Sequence, residues 1–293
     1  MNPEPTKEFP RSPTAAPLQR PPESMRPDRN EVINPRGTGS VVEIAPGVRF
    51  ECLVGAHNRA QNLTTGIVTF DAGAELPYHT HPFTESVTLL SGQATVEIEG
   101  RCYELSELDN LVIPPGVAHF VKASGATTPA VLHVAMATSS PTRVLVDHAF
   151  SRRAMRPAIA SDGPERVNWF RTAPRYEAGP FTAFIDFFNK DLVPGIEMSG
   201  GYGLFYPRGR LPAHVHDFDE SICIIDGTAT CVVEGRRYSM FGCATALQPR
   251  GRVHYFINES PEPMAMLWVY AGPVPERIVV DERCATVEGN PWQ

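Results

Sequence analysis

The sequence predicts an all-β protein with two tandem domains, each of them a β-sandwich or a β-barrel. From Val41 onward, short apolar runs are interrupted by Gly, Pro and Asp and show no long helical periodicity, which is typical of closely spaced strands and turns. Turn residues and polar residues of the first half also recur in the second half at a constant offset of 135 positions. Similarity at one fixed offset indicates that a complete structural unit is duplicated.

A β-hairpin is the clearest element in each half. Residues 95–99 alternate between polar and apolar side chains, as a half-buried strand does, and a Gly-Arg turn at 100–101 leads to a second strand. Residues 230–234 and the Gly-Arg turn at 235–236 repeat this arrangement. The two halves therefore have the same predicted order of strands and turns.

Composition divides the chain into four predicted segments. Residues 1–40 are rich in Pro and charge, which predicts a flexible arm that could place a few residues on a partner subunit. Residues 41–147 form the predicted N-terminal barrel, and residues 196–293 form the C-terminal barrel with its tail. Between them, residues 148–195 are turn-rich and are interpreted as a linker and interdomain segment.

The composition also limits the possible partners. A chain of 293 residues with 42% hydrophobic residues can bury a core of ordinary size. Its formal charge of -7 leaves no basic surplus for phosphate contacts, so no nucleic-acid partner is expected. The sequence shows no apolar run of signal-peptide or membrane type, and its six cysteines have no Cys-x-x-Cys spacing. We therefore expect a cytoplasmic protein with reduced thiols and no membrane partner.

Each half carries one set of candidate metal ligands. The first set recurs as the second at the same offset: His79, His81, Glu85 and His119, then His214, His216, Glu220 and His254. Residues i and i+2 of a strand face the same side, so both histidines of each His-x-His pair are expected to point into the barrel. Three imidazoles and one carboxylate suit first-row divalent metals and leave coordination positions open for substrate. The sequence thus predicts up to two metal ions per chain.

These segments resemble the two motifs of the cupin superfamily. The best matches are Gly73-x5-His79-x-His81-x3-Glu85-x6-Gly92 for the first motif and Pro249-x-Gly251-x2-His254-x3-Asn258 for the second. The resemblance covers about residues 60–137 and 200–272. It implies a bicupin with two tandem jelly-roll-type cupin barrels, assembled as a homodimer or a larger homo-oligomer.

Three positions depart from the family pattern. Gly209 lies one residue closer to His214 than the usual spacing, Leu108 stands where Gly is usual, and Ala123 replaces the Asn of the second motif. These are turn and support positions rather than ligands. Both predicted metal sites are therefore retained.

Strand alternation predicts which side chains share each lumen with the ligands. In the C-terminal barrel Arg252 and Phe256 should accompany His254, and Arg210 should lie near His214. A guanidinium beside a metal can anchor a carboxylate, although a solvated turn residue is the alternative for Arg252. The predicted lumen of the N-terminal barrel is apolar, with Val87, Leu89, Val117 and Val121. This difference favours the C-terminal barrel as the catalytic one, with no catalytic residue identified beyond the ligands.

The resemblance implies a metal-dependent enzyme acting on a small-molecule substrate. The favoured hypothesis is an Fe(II) dioxygenase that acts on a small, metal-chelating oxygenated compound. The alternatives are a non-redox Mn(II) or Zn(II) enzyme, such as a decarboxylase, isomerase or aminohydrolase, and a non-catalytic ligand-binding or regulatory bicupin. Three His and one Glu accommodate Fe(II), Mn(II), Ni(II) and Zn(II) alike, so the sequence leaves the metal open.

Overall fold

The computed structural model describes residues 16–155 and 162–293. Within these ranges the regular structure is almost entirely β, which confirms the predicted fold class. The helical elements of the described residues are three short 3-10 turns: Glu23–Met25, Ala56–Asn58 and Glu282–Ala285. No helix among the described residues is long and apolar enough to cross a membrane.

The first strand among the described residues, β1 (Val32–Asn34), belongs to the C-terminal barrel. The N-terminal barrel consists of two sheets that enclose an apolar core. Its strands are β2 (Ser40–Ala45), β3 (Val48–Val54), β4 (Thr64–Phe70), β5 (Glu75–Thr80), β6 (Glu85–Ser91), β7 (Ala94–Ile98), β8 (Arg101–Leu105), β9 (Asn110–Ile113), β10 (His119–Ala123), β11 (Ala130–Met136), β12 (Val144–Leu145), β13 (Arg153–Ala154) and β14 (Arg166–Asn168). The sheet orders are β14-β9-β6-β11-β4-β3-β2 and β12-β5-β10-β7-β8-β13.

The C-terminal barrel repeats this two-sheet arrangement around its own core. Its further strands are β15 (Thr182–Phe188), β16 (Ser199–Phe205), β17 (His214–Val215), β18 (Glu220–Asp226), β19 (Thr228–Val233), β20 (Arg236–Phe241), β21 (Thr245–Gln248), β22 (His254–Ile257), β23 (Met264–Tyr270) and β24 (Ile278–Val279). The sheet orders are β1-β21-β18-β23-β16-β15 and β20-β19-β22-β17-β24. The predicted hairpins are β7-β8 and β19-β20.

The described part of the N-terminal arm is an ordered component of the C-terminal barrel, in contrast to the flexible arm predicted for residues 1–40. Strand β1 pairs antiparallel with β21, and Met25 is buried against the C-terminal barrel. The carbonyl of Met25 approaches Gly251 so closely that a Cβ on Gly251 would lie 1.7 Å from the oxygen. Pairing and burial offset the cost of ordering this Pro-rich segment, which composition alone does not reveal. Residues 1–15 of the predicted arm lie outside the described residues.

The predicted linker is also shared between the barrels. Strands β13 and β14 extend the two sheets of the N-terminal barrel, whereas β15 is the edge strand of a C-terminal sheet. The barrels pack through the N-terminal sheet that contains β14 and the C-terminal sheet that contains β15. An apolar cluster lies between them, and the hydroxyl oxygens of Thr65 and Ser221 are in buried contact at 2.7 Å. The two halves therefore share a buried interface.

Candidate metal centres

The first ligand set is assembled where the two sheets of the N-terminal barrel meet. His79 lies near the end of β5, and its register partner on the adjacent strand β10 is His119. Glu85 begins β6 on the opposite sheet. The Gly116 amide donates to the His81 carbonyl oxygen over 2.8 Å, which ties the turn of the second motif to the first motif. This topology brings together residues that are distant in sequence.

The four predicted ligands of the N-terminal barrel lie close together around the Glu85 carboxylate. Nε2 of His81 and Nε2 of His119 each lie 3.0 Å from the same carboxylate oxygen of Glu85. Potential ligand atoms of His79, Glu85 and His119 all lie within 4.8 Å of one another. His81 completes the set through its contact with Glu85. The sequence prediction for this centre thus corresponds to one compact cluster.

The second ligand set has the same arrangement in the C-terminal barrel. Ligand atoms of His214, His216, Glu220 and His254 all lie within 4.8 Å of one another. A carboxylate oxygen of Glu220 lies 2.7 Å from Nε2 of His254 and 3.4 Å from Nε2 of His216. The Gly251 amide donates to the His216 carbonyl oxygen over 3.0 Å, matching the connection in the first barrel.

Hydrogen bonds orient all six histidines for metal binding. Each Nδ1 lies 2.6–3.0 Å from a backbone carbonyl oxygen. A carbonyl can only accept, so each Nδ1 carries a proton, and Nε2 is the ring nitrogen that faces the cluster. The accepting carbonyls belong to Pro77, Phe83, Val117, Pro212, Glu276 and Arg252. Such bonds to the far side of the ring are the usual support of metal-bound histidine.

The electrostatics of both clusters suit a divalent cation. Burial lowers the pKa of His79 to about 4, which leaves this imidazole neutral at pH 7. Burial alone would raise the pKa of Glu220, but the adjacent His216 and His254 hold it at about 2. Among the described residues, the buried Nε2 atoms of His119 and His216 lie 3.0 and 3.4 Å from a carboxylate oxygen but make no hydrogen bond of normal geometry. A metal ion would satisfy these atoms, so both residue sets fit the group that their chemistry implies.

The two centres differ in access. The N-terminal centre opens into a cavity of about 290 Å³ in which thirteen of the nineteen lining residues are apolar. Glu85 keeps 13% of its side chain exposed, compared with 3% for Glu220. In the C-terminal barrel Phe218 stacks on His216 at a ring distance of 5.2 Å, and Tyr270 lies 4.4 Å from the same ring. Because Phe83 stacks on His81 in the same way, the centres differ in the cavity, in the burial of the carboxylate and in Tyr270. The first centre is therefore accessible to a small molecule, and the second is more deeply buried.

A charged residue that sequence analysis did not identify also lines this cavity. Arg143 follows β11, lines the cavity and donates a hydrogen bond to the Ile44 carbonyl oxygen. Burial lowers its pKa, and the Glu85 carboxylate opposes that shift, which places the two charges within electrostatic reach. Arg143 belongs to no repeated motif, so spacing gave no signal for it.

The two arginines proposed as substrate contacts lie elsewhere. Arg252 forms an ion pair with Glu234 at 2.7 Å and donates to the Arg29 carbonyl oxygen at 2.7 Å. Arg210 pairs with Glu282 at 2.8 Å. The prediction that both guanidiniums face the lumen is corrected, because β22 begins only at His254 and strand alternation does not extend back to residue 252.

The side chains predicted to be apolar lumen residues are all buried, and two of them line the N-terminal cavity. Phe256 is fully buried in the core of the C-terminal barrel. Val87 and Val121 line the N-terminal cavity, and Leu89 and Val117 belong to the core around it. Phe83, which stacks on His81, and its repeat Phe218 were not singled out, although the constant offset could have revealed them.

Comparisons with known proteins agree with this architecture. A family model described as Cupin domain matches residues 66–136 and 202–270. The chain therefore belongs to the cupin family, and its two tandem cupin domains make it a bicupin. A sequence comparison with curated proteins found no match.

Solved structures with a similar fold share little sequence with this chain. A Lactobacillus farciminis oxalate decarboxylase in complex with formate is 15% identical, with a TM-score of 0.67, and the match covers 94% of this chain and 92% of that chain. AerE from Microcystis aeruginosa is 14% identical, with a TM-score of 0.60, covering 81% of this chain and 97% of that chain. A Bacillus subtilis oxalate decarboxylase, studied for its Mn(II) centres, is 15% identical, with a TM-score of 0.65, covering 88% and 82%. At this identity the likeness concerns the fold.

Proposed function

We propose that this bicupin is a non-redox metalloenzyme with its catalytic centre in the N-terminal barrel, and that the reaction is the decarboxylation of a small organic acid. The observation that carries the proposal is the open cavity at the His79, His81, Glu85 and His119 cluster. The second cluster has the same ligands but a more deeply buried carboxylate, and Tyr270 packs against His216. A site that turns over substrate needs an entrance, whereas a closed four-ligand site suits a structural metal. Lumen polarity had favoured the C-terminal barrel, but its arginines lie outside the lumen.

Decarboxylation requires few functional groups from the protein. The bond between the carboxylate and the adjacent carbon breaks, carbon dioxide leaves, and a proton from solvent takes its place. The reaction needs stabilisation of negative charge but no general base. The cavity matches this requirement, because its charged and imidazole side chains are the four candidate ligands and Arg143. A bound divalent metal would supply Lewis-acid stabilisation of the charge on substrate oxygens.

The metal is proposed to be Mn(II), with Zn(II) as the second choice. The Mn(II) centres of the similar oxalate decarboxylase support this choice at the level of the fold. The Fe(II) dioxygenase favoured by sequence analysis remains the rival hypothesis, because the same ligand set accommodates iron. Cytoplasmic location and homo-oligomeric assembly stay predictions.

Metal-specific activity measurements separate these hypotheses. Metal-free protein is loaded with Mn(II), Zn(II) or, without oxygen, Fe(II), and carbon dioxide release and oxygen uptake are measured on a panel of organic acids. We expect release of carbon dioxide with Mn(II) and no net uptake of oxygen. Oxygen consumption that depends on Fe(II) would support the dioxygenase instead, and ligand binding without turnover at any metal would support a regulatory bicupin.

A matched pair of variants tests which barrel is catalytic. Glu85→Gln should abolish turnover, since it removes an anionic ligand from the open centre. Glu220→Gln should retain turnover in protein that circular dichroism shows to be folded. The reverse result would move the catalytic centre to the C-terminal barrel.

A further inference from the structure

The N-terminal cavity combines one charged end with an apolar interior. Its charged lining residues, among those described, are Glu85 and Arg143. The remaining wall is formed largely by aliphatic and aromatic side chains, including Phe50, Phe70 and Leu132. Burying a second ionised group against such a wall carries a large desolvation cost. The cavity therefore disfavours a ligand that is charged at both ends.

The charges around the ligand cluster favour an anionic head group. A divalent metal together with Glu85 and Arg143 leaves a net positive charge at this end of the cavity. Among the described residues, the hydrogen bond to the Ile44 carbonyl oxygen is the one bond that the Arg143 guanidinium makes. A guanidinium has five N–H donors in a planar fork that matches a carboxylate, so several donors remain for a ligand.

We propose that this cavity takes an amphiphilic monocarboxylate: an acid whose carboxylate lies between the metal cluster and Arg143 and whose body is an apolar chain or ring. This inference rests on the proposed function and specifies its substrate class. It distinguishes this chain from an enzyme for a compact dicarboxylate such as oxalate, which has no apolar surface to bury. The cavity has thirteen apolar lining residues and a volume of about 290 Å³. This apolar surface contributes to binding only if the ligand has an apolar body.

A chain-length series tests the apolar body without requiring turnover. Isothermal titration calorimetry with Mn(II)-loaded protein compares straight-chain monocarboxylates of two to eight carbons with dicarboxylates of equal length. Affinity should rise about fourfold per added methylene until the cavity is filled. Affinity that is independent of chain length, or tighter binding of dicarboxylates, would overturn the proposal.

Arg143 is tested as the anchor of the carboxylate. Arg143→Gln should weaken binding of the best monocarboxylate by about 10- to 150-fold, the range for loss of a charge-assisted hydrogen bond. It should leave the affinity of the alcohol of equal length unchanged. Arg49→Gln is the control, because Arg49 adjoins the cavity residue Phe50 but pairs with Asp71 on the surface. Equal losses for acid and alcohol, or no loss for either, would remove the assigned role of Arg143.

A second variant tests the wall independently of the anchor. Phe50→Ala removes a half-buried aromatic ring from the cavity wall. The chain length of tightest binding should then shift to longer acids, with the dependence on Arg143 retained. An unchanged optimum would place the apolar body outside this cavity.

Failure of this inference can be distinguished from failure of the proposed function. Turnover of a compact dicarboxylate that depends on Glu85, without affinity for apolar acids, would overturn the substrate class and support the catalytic assignment. Chain-length-dependent binding that responds to Arg143, with turnover that survives Glu85→Gln, would support the ligand class and overturn the catalytic assignment.

Discussion

Arg29 and Asp219 form a buried bidentate ion pair that fastens the N-terminal arm to the second metal centre. Both pairs of nitrogen and oxygen atoms are 2.8 Å apart, and the side chains are 4% and 1% exposed. Asp219 also accepts hydrogen bonds from the backbone amides of Gln61 and Arg250. Because Asp219 directly precedes the ligand Glu220, one carboxylate connects the arm, the first barrel and the second centre.

We expect Arg29→Ala to destabilise the protein by about 3–5 kcal/mol, because it leaves the Asp219 carboxylate buried without its cation. Guanidinium-induced unfolding at pH 7 measures the change. Arg49→Ala is the control, since its ion pair with Asp71 is exposed and should contribute at most about 1 kcal/mol. Equal destabilisation by the two variants would show that the buried Arg29–Asp219 pair contributes no more to the unfolding free energy than the exposed Arg49–Asp71 pair.

Elemental analysis should approach two metal ions per chain after full loading. His79→Ala and His214→Ala should each lose one ion and remain folded, because each barrel has an apolar core independent of its ligands. Circular dichroism and metal content are measured on the same samples. Complete unfolding of either variant would show that its metal is essential for the fold, and a loaded value of one metal in the parent chain would contradict the two-site prediction.

His133 should make stability depend on pH in the acid range. It is buried on β11 between Val131 and Ala135, two residues that pack in the clusters between the barrels. Burial lowers its pKa to about 4, below the unfolded value of about 6.5. The folded state therefore resists protonation, and stability is full above pH 6.5 and falls as the pH drops toward 4. The loss should be about 3 kcal/mol.

Unfolding free energies of the parent chain and His133→Gln, measured from pH 7 to pH 4, check this expectation. The difference between the two proteins should change with pH, because only the parent chain carries this buried imidazole. His148→Gln, which changes an exposed histidine, should follow the parent profile. A His133→Gln profile parallel to that of the parent chain would contradict the assignment.

Asn258 should stabilise the loop that follows the second motif. Its buried side-chain amide donates to the carbonyl oxygens of Phe205 and Glu262 at 3.0 and 2.7 Å. Asn258→Ala should cost about 1–3 kcal/mol, because a buried carbonyl loses its donor. Thermal unfolding tests this, with Asn34→Ala as a partly buried comparison that loses one bond to the Leu53 carbonyl oxygen. A loss no larger than that of Asn34→Ala would assign Asn258 no special role.

The first copy of this loop departs from the family pattern at two positions and keeps the same backbone conformation. Ala123 replaces Asn at the corresponding position and keeps the backbone bond of that position: its amide donates to the Ala74 carbonyl oxygen, as the Asn258 amide donates to Gly209. Leu108 adopts a positive φ of 67°, and its repeat Cys243 has 63°. Both copies thus keep the left-handed turn without the usual glycine, which explains why the sequence departure leaves the fold intact.

The sequence by itself determined the duplicated all-β architecture and the eight candidate ligands. Strand periodicity, turn residues and metal-ligand chemistry are properties of residue types at short spacing, so a constant offset is enough to reveal them. The sequence did not determine which centre is open, where Arg252 points, or that Arg143 reaches the cavity. Those features depend on the final positions of the loops and the N-terminal arm. Burial and ion pairing between distant residues fix these positions, as the Arg29–Asp219 pair does for the arm. Only the tertiary structure decided them, because contacts between residues distant in sequence leave no periodic signal in the chain.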